Sequence, residues 1–176
     1  MPKTLLSSAL GLLLTSASLT SFGAVADSQL ENKLKAALIF KLGHYVTWSH
    51  SPVELNYCFV GDHSQEISAI LEARLKKGKL KRAAKVVNKD SIHEVRKFEC
   101  QVLFTDKIDS ADAELYQELS LATLTIVGNA KALKYGPIAS IEIVNGKPQL
   151  AVSKNNLRRS QIKIDTQVLA VVTFKD

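Results

Sequence analysis

Aromatic residues, proline and cysteine are all scarce in this chain of 176 residues: aromatic side chains make up 6%, with 4 prolines and 2 cysteines. The few prolines, together with 8 glycines and no biased tract, exclude collagen-like, proline-rich and prion-like sequences. No repeat of fixed period is present, which excludes solenoids and propellers. A hydrophobic content of 46% and a charged content of 23% are typical of one globular domain with a sizeable core.

Sequence motifs of catalysis are also missing. The chain has no G-x-S-x-G elbow, no P-loop, no G-x-G-x-x-G dinucleotide fingerprint and no H-E-x-x-H zinc motif. The spacing of the four histidines does not match a known metal site, these being His44, His50, His63 and His93. We therefore expect a protein that is not an enzyme and that holds no metal and no cofactor. An unrecognised hydrolase is the remaining enzymatic alternative.

The first 26 residues have the layout of a secretory signal peptide. A basic start with Lys3 precedes an apolar run from Leu5 to Leu14, and the segment ends in the A-x-A pattern Ala24-Val25-Ala26. The apolar run is much shorter than the roughly 20 residues that cross a bilayer. An N-terminal anchor or a core helix is the alternative. We expect cleavage near Ala26, which leaves residues 27–176 as a single domain in a bacterial periplasm.

Both cysteines fall in this mature part, where an oxidising compartment favours disulfides. Cys58 lies in a predicted strand and Cys100 at the head of a later one, so neighbouring strands would bring them within bonding distance. The bond would close a loop of about 43 residues, for which the loop-entropy model gives about 4 kcal/mol. Two buried thiols, or a bond between subunits, are the alternatives.

Helices are predicted from apolar spacing and capping residues. Leucines recur at every fourth position from Leu30 to Leu42 and predict a helix over 29–45, with Ser28 and Glu31 as its capping box. A second helix is predicted between the cap residue Ser64 and Gly78. The remaining helical segments are predicted at 111–119, at 130–133, after Ser153 and from Thr166 to Val172.

Strands are predicted over 57–61, 100–105 and 122–127, whose apolar runs are typical of parallel strands buried on both faces, and a short strand is predicted over 83–87. Residues 138–144 and 149–152 flank the turn dipeptide Asn145-Gly146 and predict a hairpin, which Pro148 places at a sheet edge. The predicted fold is therefore one α/β domain. It has a mostly parallel sheet, helices on both faces in a three-layer arrangement, and a C-terminal antiparallel hairpin.

Two charged regions are candidates for binding. Asp62, His63 and Asp106 lie at predicted strand ends, where α/β folds bind ligands, and predict a small-ligand site. Ordinary surface polarity is the alternative there. A basic cluster follows the second helix and would attract anionic lipid headgroups or an acidic partner, or else only keep a loop soluble; its members are Lys76, Lys77, Lys79, Lys81, Arg82 and Lys85. Nucleic acid is not an expected partner, because no aromatic residues are interleaved for stacking.

Several segments, in order, resemble the YfiR/HmsC-like family of periplasmic proteins. The resemblance begins at Lys35-Ala36-Ala37-Leu38-Ile39-Phe40 and Tyr45-Val46-Thr47-Trp48 and covers about 34–172. It continues through Cys58-Phe59-Val60-Gly61, Cys100-Gln101-Val102-Leu103-Phe104 and Leu124-Thr125-Ile126-Val127. The chain departs from the family where Ala151 and Ser153 replace a glutamate and an asparagine.

What the resemblance implies is a binding protein that represses an inner-membrane diguanylate cyclase by contact with its periplasmic part. It also implies sequestration by an outer-membrane lipoprotein, a homodimer, and Cys58–Cys100 as the family's shared disulfide, whose redox state tunes stability. We expect the partner surface at the end of the first helix and around the hairpin, with core packing as the alternative for each apolar member; its residues are Tyr45, Trp48, Pro137, Leu150, Val152 and Leu157. The alternative function is a periplasmic small-molecule-binding sensor module.

Overall fold

The computed structural model describes residues 22–78 and 82–176. Its helices are α1 (Phe22–His44), α2 (Gln65–Lys77), α3 (Ile92–Val95), α4 (Ala113–Leu119), α5 (Lys154–Arg159) and α6 (Thr166–Leu169). Its strands are β1 (Val46–Thr47), β2 (Glu54–Val60), β3 (Ala83–Lys89), β4 (Val102–Thr105), β5 (Leu124–Val127), β6 (Ala139–Val144), β7 (Lys147–Ser153), β8 (Lys163–Ile164) and β9 (Thr173–Lys175). Most of the predicted signal peptide lies outside the described residues.

The main sheet has seven strands in the order β3-β2-β4-β5-β6-β7-β9. The first five strands in this order, β3-β2-β4-β5-β6, are parallel to one another. Strand β7 is antiparallel to β6, and β9 is parallel to β7. The central strands β4 and β5 are buried along their whole length, which is why their residues are apolar apart from the buried Thr105 and Thr125. The predicted fold class is confirmed: one α/β domain with a mostly parallel sheet and a C-terminal antiparallel hairpin.

Alternate side chains of each strand point to opposite sides of the sheet, so apolar residues occur on both faces. Helices cover both faces and bury these residues. On one face, Tyr57 and Phe59 of β2 belong to a core cluster with apolar residues of α1 and α2. On the other face, Cys58 packs in a second cluster with α3 and α4. The three-layer arrangement predicted from the sequence is therefore present.

Helix α1 starts earlier than predicted, whereas α2 starts and ends where predicted but lacks the predicted capping bond. Helix α1 already begins at Phe22, so Ser28 lies inside the helix and does not cap it. Ser64 occupies the residue before α2, but its hydroxyl makes no capping bond. It donates instead to the carbonyl oxygens of Val60 and Gly61, at 2.9 and 2.6 Å. The side chain therefore closes the turn after β2 and does not serve the helix.

The C-terminal hairpin is confirmed, although its position in the sheet is not the predicted one. Asn145 and Gly146 form its turn with φ values of 52° and 71°, the left-handed conformation that two-residue hairpins require. The edge strand is β9, which pairs with β7 at Ala151 to Ser153, and the last predicted helix stops at Leu169. Pro148 is tolerated because it lies in the part of β7 beyond this pairing.

Candidate functional site

Three aspartates follow three adjacent parallel strands. Asp62 comes after β2, Asp90 after β3 and Asp106 after β4, and all three line a cavity of about 300 Å³. Strand β2 lies between β3 and β4, so the next two strands along the chain are placed on opposite sides of β2. Such a switch point is where open α/β sheets bind ligands. We call this cavity, with its three aspartates, the strand-end cleft.

The far side of the strand-end cleft carries two more carboxylates. Asp109 caps the turn before α4, where its Oδ1 accepts a hydrogen bond from the amide of Ala111 at 2.9 Å. Asp112 lies with its Oδ1 3.2 Å from Nε2 of His93. Five aspartates thus line one cavity together with one lysine, Lys107, and one histidine, His93, so the carboxylates outnumber the basic groups there and the field inside attracts cations.

Asp106 is the most constrained of these carboxylates. Its Oδ1 lies 3.4 Å from Nζ of Lys35 on α1, a lysine whose side chain is only 15% exposed. Gly128, which follows β5, lies directly against the same carboxylate, so any larger residue there would collide with it. Lys35 of α1 and Gly128 in the turn after β5 therefore restrict the position of the Asp106 carboxylate.

Tyr116 of α4 forms an apolar part of the cleft wall. The side chain is almost fully buried, and it packs with Cys58 and Leu103 under the sheet. Burial raises the pKa of the Tyr116 phenol, because the phenolate would lose its contact with water. The hydroxyl is therefore a neutral hydrogen-bonding group beneath a carboxylate-lined opening.

A second, polar cavity of about 330 Å³ lies between the start of α2 and the upstream part of α1. Asn32 on α1 donates a hydrogen bond from Nδ2 to Oε2 of Glu66 on α2, at 2.7 Å, and so ties the two helices together. Asp62 and Asp106 line this cavity as well as the strand-end cleft. The structure therefore brings together two of the three residues predicted to bind a ligand, and their role as ligands stays a prediction.

The third predicted ligand residue, His63, has a side chain outside the described part of the chain. Asp90, Asp109 and Asp112 were not predicted from the sequence. Asp90 was missed because the predicted strand ended at residue 87, whereas β3 continues to Lys89. Among residues 22–78 and 82–176, no three side chains of histidine, cysteine or acid type converge as metal ligands. The carboxylates are spread along the opening of the cleft.

The six residues predicted to form a partner surface differ greatly in exposure. Tyr45 is exposed at the end of α1. Leu150 and Leu157 are half-buried and pack against the main core cluster. The other three are buried and contribute to the interior in this conformation; they are Trp48, Pro137 and Val152. Tyr45, Leu150 and Leu157 are therefore the predicted residues that solvent reaches in this folded state, and their role as partner contacts stays a prediction.

Trp48 lies at the amino-terminal edge of the sheet, opposite the strand-end cleft. It is 7% exposed and lines a cavity of about 280 Å³ together with Cys100. Its Nε1 has no hydrogen-bond acceptor among the described protein atoms. The indole is therefore held by apolar packing, which gives a direct way to test its place in the core.

Cys58 and Cys100 form an intramolecular disulfide, with their Cα atoms 5.9 Å apart. The bond joins the middle of β2 to the residue two positions before β4, and these strands are neighbours. Both cysteines are buried, at 0% and 6% exposure, beneath α3 and α4. The predicted pairing is confirmed, and buried free thiols and a bond between subunits are excluded for this state.

The comparison with protein families is decisive, because one family model, YfiR/HmsC-like, matches residues 32–173. The chain belongs to the YfiR/HmsC-like family. This match confirms the resemblance drawn from the sequence. It covers all of β1 to β8 and stops at the first residue of β9, so family membership concerns the whole described sheet and not a local motif.

Solved structures and curated proteins add less. A similar solved structure is a conserved domain protein from Vibrio cholerae O1 biovar eltor, with a TM-score of 0.52 and 14% sequence identity. The alignment covers 82% of this YfiR/HmsC-like chain and 60% of that one, so the likeness supports the fold alone. The search of curated proteins gives no significant match. No helix in the described part of the chain combines the length and apolarity needed to cross a membrane.

Proposed function

We propose that this protein is a periplasmic regulatory binding protein that restrains an inner-membrane diguanylate cyclase through contact with the periplasmic part of the cyclase. The observation that carries the proposal is the family match over 32–173, because the YfiR/HmsC-like family is associated with this regulation. The predicted signal peptide supports the compartment. Cyclic-di-GMP synthesis would remain with the partner, and this chain would contribute only binding.

The proposed mechanism is a shift in the conformational equilibrium of the cyclase. A regulator that binds the inactive state more tightly than the active state lowers output in proportion to that difference, and no bond has to be made or broken. Tyr45, Leu150 and Leu157 are the proposed contacts, since they reach the surface among the six predicted residues. Release would follow when an outer-membrane lipoprotein binds the regulator and removes it from the cyclase.

Two further features belong to the same proposal. The protein acts as a homodimer, which size-exclusion chromatography with light scattering measures directly. The Cys58–Cys100 bond sets the stability of the regulator, so a reducing periplasm would weaken repression by reducing the amount of folded protein. Both features follow the family, and neither depends on the strand-end cleft.

The test of binding is capture of membrane proteins by the tagged protein from solubilised native membranes, with and without reductant, and identification by mass spectrometry. Recovery of a GGDEF-type membrane protein supports the proposal, and its loss under reductant makes Cys58–Cys100 part of the switch.

Tyr45→Ala should weaken capture about ten-fold or more, as truncation of an aromatic interface anchor does. Val171→Ala, at a position 79% exposed, is the matched control and should capture normally. Absence of any membrane partner in both conditions contradicts the proposal.

A second candidate function is a sensor module for a small ligand, favoured by the strand-end cleft at the switch point of the sheet. Amino acids, nucleotides and cofactors would be screened by thermal shift. A ligand at 100 times its dissociation constant stabilises the folded state by about 2.7 kcal/mol. Asp106→Asn should abolish such a shift, while the change of a half-buried acid away from the cleft, Glu142→Gln, should not.

A further inference from the structure

Charge is distributed unevenly between the two ends of the sheet. The aspartates of the strand-end cleft gather where the parallel strands finish. Residues 74–85, which connect the end of α2 to the start of β3, contain seven Lys or Arg and no Asp or Glu. Because α2 runs antiparallel to the strands it connects, the end of α2 and the start of β3 lie at the amino-terminal edge of the sheet. The molecule is thus acidic at one end of its strands and basic at the other.

The basic side chains at this edge are largely open to solvent. We call them the basic end, and its described members are Arg74, Lys76, Lys77, Arg82 and Lys85. Two are neutralised by neighbours: Lys76 pairs with Glu72 at 2.8 Å and Lys85 with Glu54 at 2.5 Å. Within the described part of the chain, no carboxylate lies within 4.0 Å of Lys77 or Arg82. A net positive surface therefore remains after the internal ion pairs are counted.

An exposed apolar residue lies within this surface. Glu54 of β2 is the register partner of Ala83 of β3, so Val53 and Arg82 are neighbours one step further toward the edge. Val53 is 91% exposed, the highest value among the exposed large hydrophobic residues. Arg74 anchors the other side of the surface, with its guanidinium 5.0 Å from the centre of the Phe40 ring on α1. Cationic side chains from the end of α2 and from the start of the edge strand β3 thus lie at the same edge of the sheet as the exposed Val53.

We propose that the basic end docks the protein on a bilayer surface that contains anionic lipid headgroups. The charges are spread over an exposed surface, which suits the diffuse negative potential of such a bilayer. The apolar tip at Val53 can enter the headgroup region while the surrounding cations stay at the phosphates. The carboxylates of the strand-end cleft are repelled from the same surface, so the molecule docks with its basic end inward.

Docking of this kind goes beyond the proposed function and does not depend on a cyclase. It would confine the protein to the surface in which a membrane partner is embedded, and so raise the local concentration of the regulator there. A lipid surface requires no specific protein groove, and it accounts for both the cations and the apolar tip. An acidic protein surface is the competing occupant, and the experiment below separates it from lipid.

The experiment is co-sedimentation of the purified protein with vesicles of equimolar phosphatidylglycerol and phosphatidylcholine, compared with vesicles of phosphatidylcholine alone. We expect binding to the anionic vesicles only, and its loss when salt is raised to about 0.5 M, because screening then acts over a few ångströms. Each basic side chain near an anionic bilayer contributes about 1 kcal/mol, a factor of about five in affinity. Lys77→Gln with Arg82→Gln should therefore weaken binding about 25-fold.

The matched control removes two lysines from the opposite end of the sheet, Lys131→Gln with Lys147→Gln. Both variants have the same net charge, both pairs of side chains are exposed, and the control should bind vesicles like the parent. Equal weakening by the two variants overturns the proposal, since it would reflect net charge alone. Absence of binding to anionic vesicles also overturns it. The same absence, combined with cyclase capture that needs Lys77 and Arg82, assigns the basic end to an acidic protein surface. Because the vesicle assay contains no cyclase, its result is independent of the proposed function.

Discussion

At the residue scale, substitutions of Trp48 measure how much its buried indole ring contributes to the free energy of unfolding. Its Nε1 has no acceptor among the described atoms, so Trp48→Phe removes a donor that makes no bond and should cost less than about 1.5 kcal/mol. Trp48→Ala removes the apolar ring as well and should cost about 3–5 kcal/mol. Urea unfolding of both variants measures the difference. A Phe variant as unstable as the Ala variant would contradict this prediction.

A second residue, Tyr57, makes stability depend on pH in the alkaline range. It is fully buried, and burial raises the pKa of its phenol above the ordinary value of 10, although the Arg82 charge opposes the shift. Above about pH 10 the unfolded chain ionises this tyrosine while the folded chain keeps it neutral. The stability that the neutral form contributes is therefore present below pH 10 and decreases as pH rises further.

The measurement is the melting temperature between neutral pH and about pH 11 for Tyr57→Phe and for the control Tyr45→Phe. We expect Tyr57→Phe to lose less stability at alkaline pH than the parent. The control changes an exposed tyrosine and should keep the alkaline loss of the parent. Identical profiles for all three proteins would contradict this account of Tyr57.

At the element scale, the Cys58–Cys100 bond joins β2 to the segment that leads into β4. Cys58→Ala with Cys100→Ala leaves small apolar side chains at both buried positions, so the main effect is a freer unfolded chain. The expected loss in unfolding free energy is about 4 kcal/mol, within the usual range of about 2–5. Reductant should destabilise the parent by a similar amount and leave the double variant unchanged. A double variant as stable as the oxidised parent would contradict the prediction.

The contact between α1 and β2 depends on a glycine near the end of the helix. A Cβ on Gly43 would approach two ring carbons of Tyr57 to 2.9 Å, and its hydroxyl more closely still. Gly43→Ala should therefore destabilise the protein by about 1–3 kcal/mol, despite the better helix propensity of alanine. Adding Tyr57→Leu should recover part of that loss in a double-mutant cycle. Additive losses would show that the two residues do not press on each other.

Elements with a strong local pattern were predictable, and those made by distant pairing were not. Strands β2, β4 and β5 carry mostly apolar residues because both faces of the sheet are covered, and the Asn145-Gly146 turn specifies its hairpin locally. Strands β1 and β8 have two residues each, too few to carry a periodic pattern. Strand β9 is exposed at all three positions, so no apolar alternation marks it.

At the scale of the whole molecule, the strand-end rule located part of the candidate site. Asp62 and Asp106 come together because their strands are adjacent and parallel, a consequence of the fold that the sequence pattern predicted. The contribution of Lys35 could not be predicted, since it depends on how α1 crosses the sheet. The exposure of the residues predicted to form a partner surface could not be predicted either. Tyr45 and Trp48 are three residues apart, yet Tyr45 is exposed and Trp48 is buried.

The proposed restraint of a diguanylate cyclase is tested by the cellular level of cyclic-di-GMP. The measurement compares the parent strain, a strain lacking this protein, and that strain with the protein restored. The account predicts a rise in cyclic-di-GMP on loss, a return to the parent level on restoration, and no rise in a strain that also lacks the captured cyclase. Unchanged cyclic-di-GMP on loss, with the cyclase present and expressed, would contradict it.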